Sequence, residues 1–330
     1  MKVAHIAVVT PGRCGLFETA RELVVALRRQ DVDSRLVDPT RETNKLYPEG
    51  TEDRGAPLAD MGWGLKADVL VNHSGYDNTP LGDTEQPVVH IAHGRPRSSF
   101  LSEMKGSTPI YSYHYSKNKD PRFKAVVTFW PQHQPYLEVM FPDKPIHVVQ
   151  ACVDLEAWTP NGPSGYKFHG HKGKINVVCT DAFRDDIDPF VPINAFALWA
   201  RQTPGEAKLH VYAKPANVKG WGPLLRRIKD DGNLGEVAGW VKGLENVYRA
   251  ATFMITAHEI DTRSVREAMA CGCPVARIPV LGVHPYDDYK EAIYWGVTGD
   301  RAVARKQAED NFGMQKTGEQ FKAVLEGALS

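Results

Sequence analysis

The sequence runs to 330 residues, too many for one small core and enough for two ordinary domains. Its 40 Lys and Arg balance 40 Asp and Glu, which removes bulk charge as an argument for a polyanion-binding protein, though not a local basic groove. With 42% hydrophobic and 24% charged residues the composition excludes wholesale disorder, and no apolar run approaches the roughly 18 residues that cross a bilayer.

The opening VAHIAVV (3–9) follows a single Lys2 and runs into Thr10-Pro11-Gly12 without a small-residue cleavage signature. It reads as a first buried strand, and the expected location is cytoplasmic. Leu16, Ala20, Leu23, Val24 and Leu27 then recur at helical spacing. Strand candidates follow at 33–38, 68–73, 87–93, 125–130 and 145–151. After a loop rich in Gly, Pro, Lys and His (161–174), strands resume at 174–180, 208–213, 252–257 and 273–278, with Ile193, Phe196, Ala197 and Ala200 at helical spacing between them. Most of these runs are apolar on both faces, as strands covered by helices on both sides must be. The stretch 300–330 reads as one or two amphipathic helices.

Strands alternating with helices predict an α/β fold of two Rossmann-like parallel-sheet domains facing a cleft, with ligands at the carboxyl ends of the strands. The expected division is 1–155 and 156–309, with the last helix, 310–330, able to pack back onto the first domain. The five cysteines, at 14, 152, 179, 271 and 273, are too few, too odd in number and too poorly spaced for a disulfide framework or a zinc site, and read as buried reduced thiols.

The most informative stretch is TFMITAHEIDTRSVREAMACGCPV (252–275). A buried strand ends near Ala257, and His258 and Glu259 stand at its exit. A short polar loop leads into a helix that Ser264 can cap, with Val265, Ala268 and Met269 as its buried stripe and Gly272 as its stop. Free backbone amides at such a helix start suit phosphate. Glu267 has two readings. In Ser264-Val265-Arg266-Glu267 it completes a capping box, or it faces a ligand together with Glu259, eight positions earlier.

This pattern, Glu-x7-Glu followed by Ala268-Met-Ala-Cys-Gly-Cys-Pro-Val275, resembles the signature of retaining GT-B glycosyltransferases of the family-4 type. Further stretches resemble that family in the right order. They are Thr10-Pro-Gly-Arg-Cys-Gly15, Ala67-Asp-Val-Leu-Val-Asn-His73, Pro87-Val-Val-His-Ile-Ala-His93-Gly94, Val153-Asp154 to Pro160, and Gly239-Trp240-Val241 with Tyr248-Arg-Ala-Ala251.

The resemblance implies a nucleotide-diphosphate sugar, a UDP-sugar by default, as donor in the C-terminal domain. It implies an acceptor held mainly by the N-terminal domain, and no resident cofactor or metal. Glu259 would meet the donor sugar's hydroxyls, Glu267 the ribose hydroxyls, and the amides of Thr262, Arg263 and Ser264 the diphosphate. His93 would contact the donor sugar near the bond being broken. The leaving diphosphate would help deprotonate the acceptor on the same face, so that configuration is retained without a protein nucleophile. In place of the family's Arg…Lys-Gly diphosphate grip stands Thr180 to Asp188, where Arg184 is the candidate contact and Lys214 and Lys219 are reserves. Gly15, in the first glycine-rich loop, is a candidate substrate contact. Trp240 could stack on a base or sit in a core.

Other features carry two readings each. Asp31-Val-Asp33 and Asp186-Ile-Asp188 read as solvated turns in preference to a metal site. His169 and His171 lie in a basic loop, and His73 is either a satisfied strand-end histidine or an acceptor-site residue. Arg95, Arg97, Tyr111, Tyr113 and Tyr115 interleave charge with rings, which suits a saccharide or small-molecule rim or a modified base in DNA. The reading is a retaining, metal-independent glycosyltransferase. The rivals are a nucleotide-sugar epimerase of the same fold and a catalytically inactive nucleotide-sugar-binding module.

Overall fold

The fold is given by a computed structural model that describes residues 1–7, 15–37, 52–73, 81, 84–93, 104, 117–163, 166–168, 175–181, 190–202, 205–213, 218, 221–239, 241–258, 260–278 and 285–330. The chain divides into two compact units. Met1–Cys152 with Phe312–Ser330 forms the first, and Val153–Asn311 the second.

The first unit carries β1 (Lys2–Ile6), α1 (Gly15–Arg28), β2 (Asp33–Val37), β3 (Glu52–Asp53), β4 (Ala56–Ala59), α2 (Met61–Gly64), β5 (Val69–Asn72), β6 (Val88–Ile91), β7 (Phe123–Thr128), α3 (Gln134–Met140) and β8 (Ile146–Val148). Its sheet runs β3-β4-β2-β1-β5-β6-β7-β8, parallel except for the β3/β4 pair. Alternation along β1 sends Val3 into a core with Leu23 and Leu27 of α1, and Ala4 and Ile6 to the opposite core with Leu70 and Phe123.

The second unit carries β9 (Ile175–Cys179), α4 (Phe190–Ala200), β10 (Ala207–Tyr212), α5 (Gly222–Asp230), β11 (Leu234–Ala238), α6 (Leu244–Ala250), β12 (Phe253–Thr256), α7 (Arg263–Ala270), β13 (Val275–Arg277), α8 (Pro285–Thr298) and α9 (Arg301–Phe312). Its strands are all parallel, in the order β11-β10-β9-β12-β13. Ile193 and Phe196 of α4, Leu225 and Ile228 of α5 and Ile293 of α8 close one face over Val177, Leu209, Val211, Phe253 and Ile255. Burying an aliphatic or aromatic side chain of this size stabilises by about 1.5–3 kcal/mol before ordering costs.

The last helix, α10 (Met314–Leu329), returns to the first unit and lies along α1. Thr317 Oγ1 donates to the Gln150 carbonyl at 2.9 Å, Gln320 Oε1 accepts the Gln150 amide at 2.8 Å, and Phe321 and Leu325 enter the α1-side core.

Every predicted strand position holds a strand; β7 and β10 match the length of the apolar run that announced them but begin earlier, and the others are shorter by one to four residues. Three strands were not expected. β3 and β4 are a short hairpin at the sheet edge, and β11, Leu234-Gly-Glu-Val-Ala238, lacks an apolar run because an edge strand keeps one flank in water. Among the described residues, no helix is long and apolar enough to cross a membrane.

Candidate functional site

In the second unit the chain reverses its direction of strand addition between β9 and β12, and sheets of this kind bind ligands outside the carboxyl ends of the strands at that point. Asp181, just beyond β9, is buried there. Its Oδ1 accepts the Thr256 hydroxyl at 2.6 Å and its Oδ2 accepts the Ala257 amide at 2.7 Å, so one carboxylate ties the exit of β12 to the exit of β9. His258 Nε2 stands 3.7 Å from Oδ1. Beside them the Thr180 hydroxyl lies 3.2 Å from the Tyr248 hydroxyl of α6. Burial pushes the Tyr248 phenol far up, and the nearby Glu267 carboxylate raises it further, so it works as a neutral hydrogen-bonding group.

The helix after this exit differs from expectation at its start. α7 begins at Arg263 with Thr262 at the cap position, so Ser264 is its second residue and, of the two readings of Glu267, the capping box does not form. Glu267 instead accepts the Arg263 Nε–H at 2.5 Å, one helical turn back, with both side chains largely buried. The Thr262 amide donates to the Ile260 carbonyl at 2.8 Å and is therefore already engaged. The first helical bond runs from the Arg266 amide to the Thr262 carbonyl at 3.0 Å, which leaves the amides of Arg263 and Ser264 without intrahelical acceptors. The physical reason is the loop: Arg266 Nη1 donates to the Asp261 carbonyl and the Arg277 guanidinium pairs with the Asp261 carboxylate, holding 260–262 in a turn that delays the helix.

The rest of α7 is as its sequence implies. Val265 and Ala268 are fully buried and Met269 nearly so. Gly272 ends the helix at φ +71°, where a β-carbon would also press on the Arg301 carbonyl. Carbonyls left over at this end are taken by α9: Arg305 donates to the Ala270 carbonyl at 2.7 Å and Arg301 to the Cys271 carbonyl at 3.3 Å. Cys152, Cys179, Cys271 and Cys273 are buried and form no disulfide among the described residues, and burial holds the last two thiols up near about 12.

In the first unit three histidines form a row, His5 on β1, His73 just past β5 and His93 just past β6. His5 Nδ1 lies 3.0 Å from His73 Nε2, and His73 Nδ1 lies 3.0 Å from His93 Nε2. His5 and His73 are fully buried, while the His93 edge still meets solvent. Burial lowers His5 to about 3 and His93 to about 3. His73 is held well below the usual range by burial first and by its two imidazole neighbours next. All three are neutral near pH 7.

The structure thus places Thr262, Arg263, Ser264 and Glu267 together in the second unit, and His93 in the first. Gly15 is the first residue of α1 in that unit. Glu259, Arg184, Trp240 and Lys214 lie outside the described residues, as do Gly12, Arg95, Arg97, Lys219, His169, His171, Asp186, Asp188 and the tyrosines at 111, 113 and 115. Of the Asp-x-Asp triplets, Asp33 opens β2 and pairs with Arg35 at 3.4 Å, and Asp31 turns the chain at φ +58°.

No family model and no curated protein matches the sequence. Solved structures do match over nearly its full length. Anabaena Alr3699/HepE in complex with UDP and glucose is 12% identical, with 99% of each chain covered and a TM-score of 0.72. Sucrose-phosphate synthase of Thermosynechococcus elongatus is 14% identical, with 98% of each chain covered and a TM-score of 0.70. A glycosyltransferase of Rickettsia africae is 11% identical, covering 100% of this chain and 98% of its own, with a TM-score of 0.67.

The fold is GT-B. Three residues of this GT-B chain to which sequence reasoning gave no site role are central to its geometry: Asp181, Tyr248 and His5. Each had a signal. Asp181 is an acid directly after an apolar strand, Tyr248 a phenol on a short helix before the next one, and His5 a lone polar group inside a buried run. A buried polar group requires a partner, and none of those partners is near in sequence.

Proposed function

We propose that this chain is a retaining glycosyltransferase that moves a sugar from a nucleotide diphosphate, a UDP-sugar, to a hydroxyl acceptor. The observation that carries the reading is the exit of β12. There a buried Glu267, pre-oriented by Arg263, stands in the second turn of α7, beyond the helix-start amides of Arg263 and Ser264, which have no acceptor within the helix. A carboxylate accepts paired hydrogen bonds from adjacent ribose hydroxyls, and backbone amides at a helix start donate to a phosphate. Fold neighbours crystallised with UDP and with UDP-glucose support the choice of donor.

In this reading Asp181 keeps the β12 exit in register and Glu259 meets the sugar hydroxyls. Arg184, Lys214 and Trp240 are the remaining donor contacts, and the first unit holds the acceptor with Gly15 at its margin. His93 offers a neutral imidazole to the sugar near the bond that breaks. The bond from the anomeric carbon to the diphosphate oxygen opens as the acceptor oxygen bonds to the same face. The acceptor's proton passes to the departing diphosphate, so no protein nucleophile is used and configuration is retained. No divalent cation is required.

The test is a thermal-shift series with UDP, GDP, ADP and their sugars, in buffer with and without EDTA. A ligand at a hundredfold above its Kd stabilises the folded chain by about 2.7 kcal/mol. UDP and a UDP-sugar are expected to raise Tm in either buffer, and proton NMR of the product to show the donor's anomeric configuration. A panel in which no nucleotide shifts Tm overturns the donor assignment, and an inverted product overturns retention.

A further inference from the structure

The row His5–His73–His93 uses chemistry that the donor site alone does not explain. Each neutral imidazole carries one N–H and one bare nitrogen, and each of the two 3.0 Å contacts needs one of each. Only two proton arrangements satisfy both contacts. Either all three rings carry the proton on Nδ1, or all three carry it on Nε2; any mixture sets two lone pairs or two N–H groups against each other. The tautomer of the outermost ring is therefore tied to that of the innermost.

The two ends of the row decide between the arrangements. His5 Nε2 is buried with no hydrogen-bond partner and packs near the Phe321 ring, whose centroid is 6.0 Å from its own. The other end, His93 Nδ1, makes no hydrogen bond among the described residues, and the His93 edge meets solvent. A buried N–H left without an acceptor is the costlier orphan; an under-used acceptor is tolerated more often. This favours a bare Nε2 on His5, so each ring donates outward through Nδ1 to the next.

We propose that His5 and His73 are positioning residues that hold the His93 ring by its Nε2 and keep its proton on Nδ1, where it is donated to an oxygen of the bound donor. The role rests on the reading of His93 given above; the tautomer itself does not. Free histidine in water prefers the proton on Nε2, so the row imposes the minority form. The result is a neutral, fixed N–H donor with no ring rotation left to lose on binding.

The experiment is two-bond proton–nitrogen NMR on the full chain labelled at histidine, without nucleotide, on the wild type and on His73→Leu and His73→Asn. The expected wild-type spectrum shows His93 protonated at Nδ1 and bare at Nε2. In His73→Leu, His93 shifts towards the Nε2–H form, and kcat with a UDP-sugar falls by roughly 10- to 100-fold, the range for losing a partner that orients a functional histidine. The donor KM stays within about twofold. His73→Asn puts an amide N–H in the place of Nδ1, so it restores the Nδ1–H form of His93 and most of the lost kcat. A wild-type His93 protonated on Nε2 overturns the inference, as does a His73→Leu protein whose His93 tautomer is unchanged. Should His73→Leu fail to fold, the wild-type and His73→Asn spectra decide. Failure to turn over any donor would overturn the donor reading while the spectra still decide the tautomer.

Discussion

Arg263 and Glu267 sit one turn apart on α7 and share a 2.5 Å hydrogen bond, with side chains 16% and 7% exposed. The pair fixes a carboxylate in the second turn of the helix, and it sets the first expectation. Glu267→Gln keeps the shape and removes the charge. Hydrogen bonds to a charged group contribute about 1.5–3 kcal/mol, so UDP affinity should fall by roughly 10- to 100-fold in calorimetry. Unchanged UDP binding would remove Glu267 from the site.

Asp181 gives a second. Asp181→Asn offers one acceptor oxygen to two donors, the Thr256 hydroxyl and the Ala257 amide. One of them is left unsatisfied in the core, at a cost of about 1–3 kcal/mol. Urea unfolding of the second unit should register that loss. A midpoint equal to the wild type would show that the carboxylate does not hold β12 to β9.

The histidine row makes stability depend on pH with a definite sign. Free histidine titrates near 6.5. In the fold His5 and His93 titrate at about 3, and His73 well below its usual value. Between those limits the unfolded chain binds more protons, so stability is complete above about pH 6.5 and declines as pH falls towards about 3, by about 1.4 kcal/mol per pH unit for each histidine. Urea midpoints from pH 7.5 to 5 should fall more steeply for the wild type than for His5→Leu. Equal slopes would contradict the burial.

Helix α10 is held to α1 by close approach. A β-carbon on Gly318 would run into the Ala26 carbonyl oxygen, a backbone atom that cannot step aside cheaply. Gly318→Ala should therefore lift α10, destabilising the first unit by about 1–3 kcal/mol and speeding amide exchange along 314–329. Exchange rates like those of the wild type would mean that the contact relaxes freely.

The fold class was legible because buried parallel strands are written as short apolar runs. β1, β5, β6, β9 and β12 announced themselves this way, and β11 did not because its Gly235 and Glu236 serve an edge. The site was legible in part. The helix after β12 is where the spacing put it, while Glu267 falls in its second turn and the capping box yielded to a turn pinned by Arg266 and Arg277. Local spacing cannot foresee that turn, since Arg277 comes from the next strand.

The sequence by itself determined the strand and helix periodicity, the α/β class and the presence of a helix after β12, because these depend on neighbours within a few positions. Only the tertiary structure decided which polar groups meet across the sheets. Asp181 reaches Thr256 over 75 positions and His5 reaches His73 over 68. Contacts of that span are set by strand order, and a buried carboxylate or imidazole takes whatever partner that order brings within hydrogen-bonding distance.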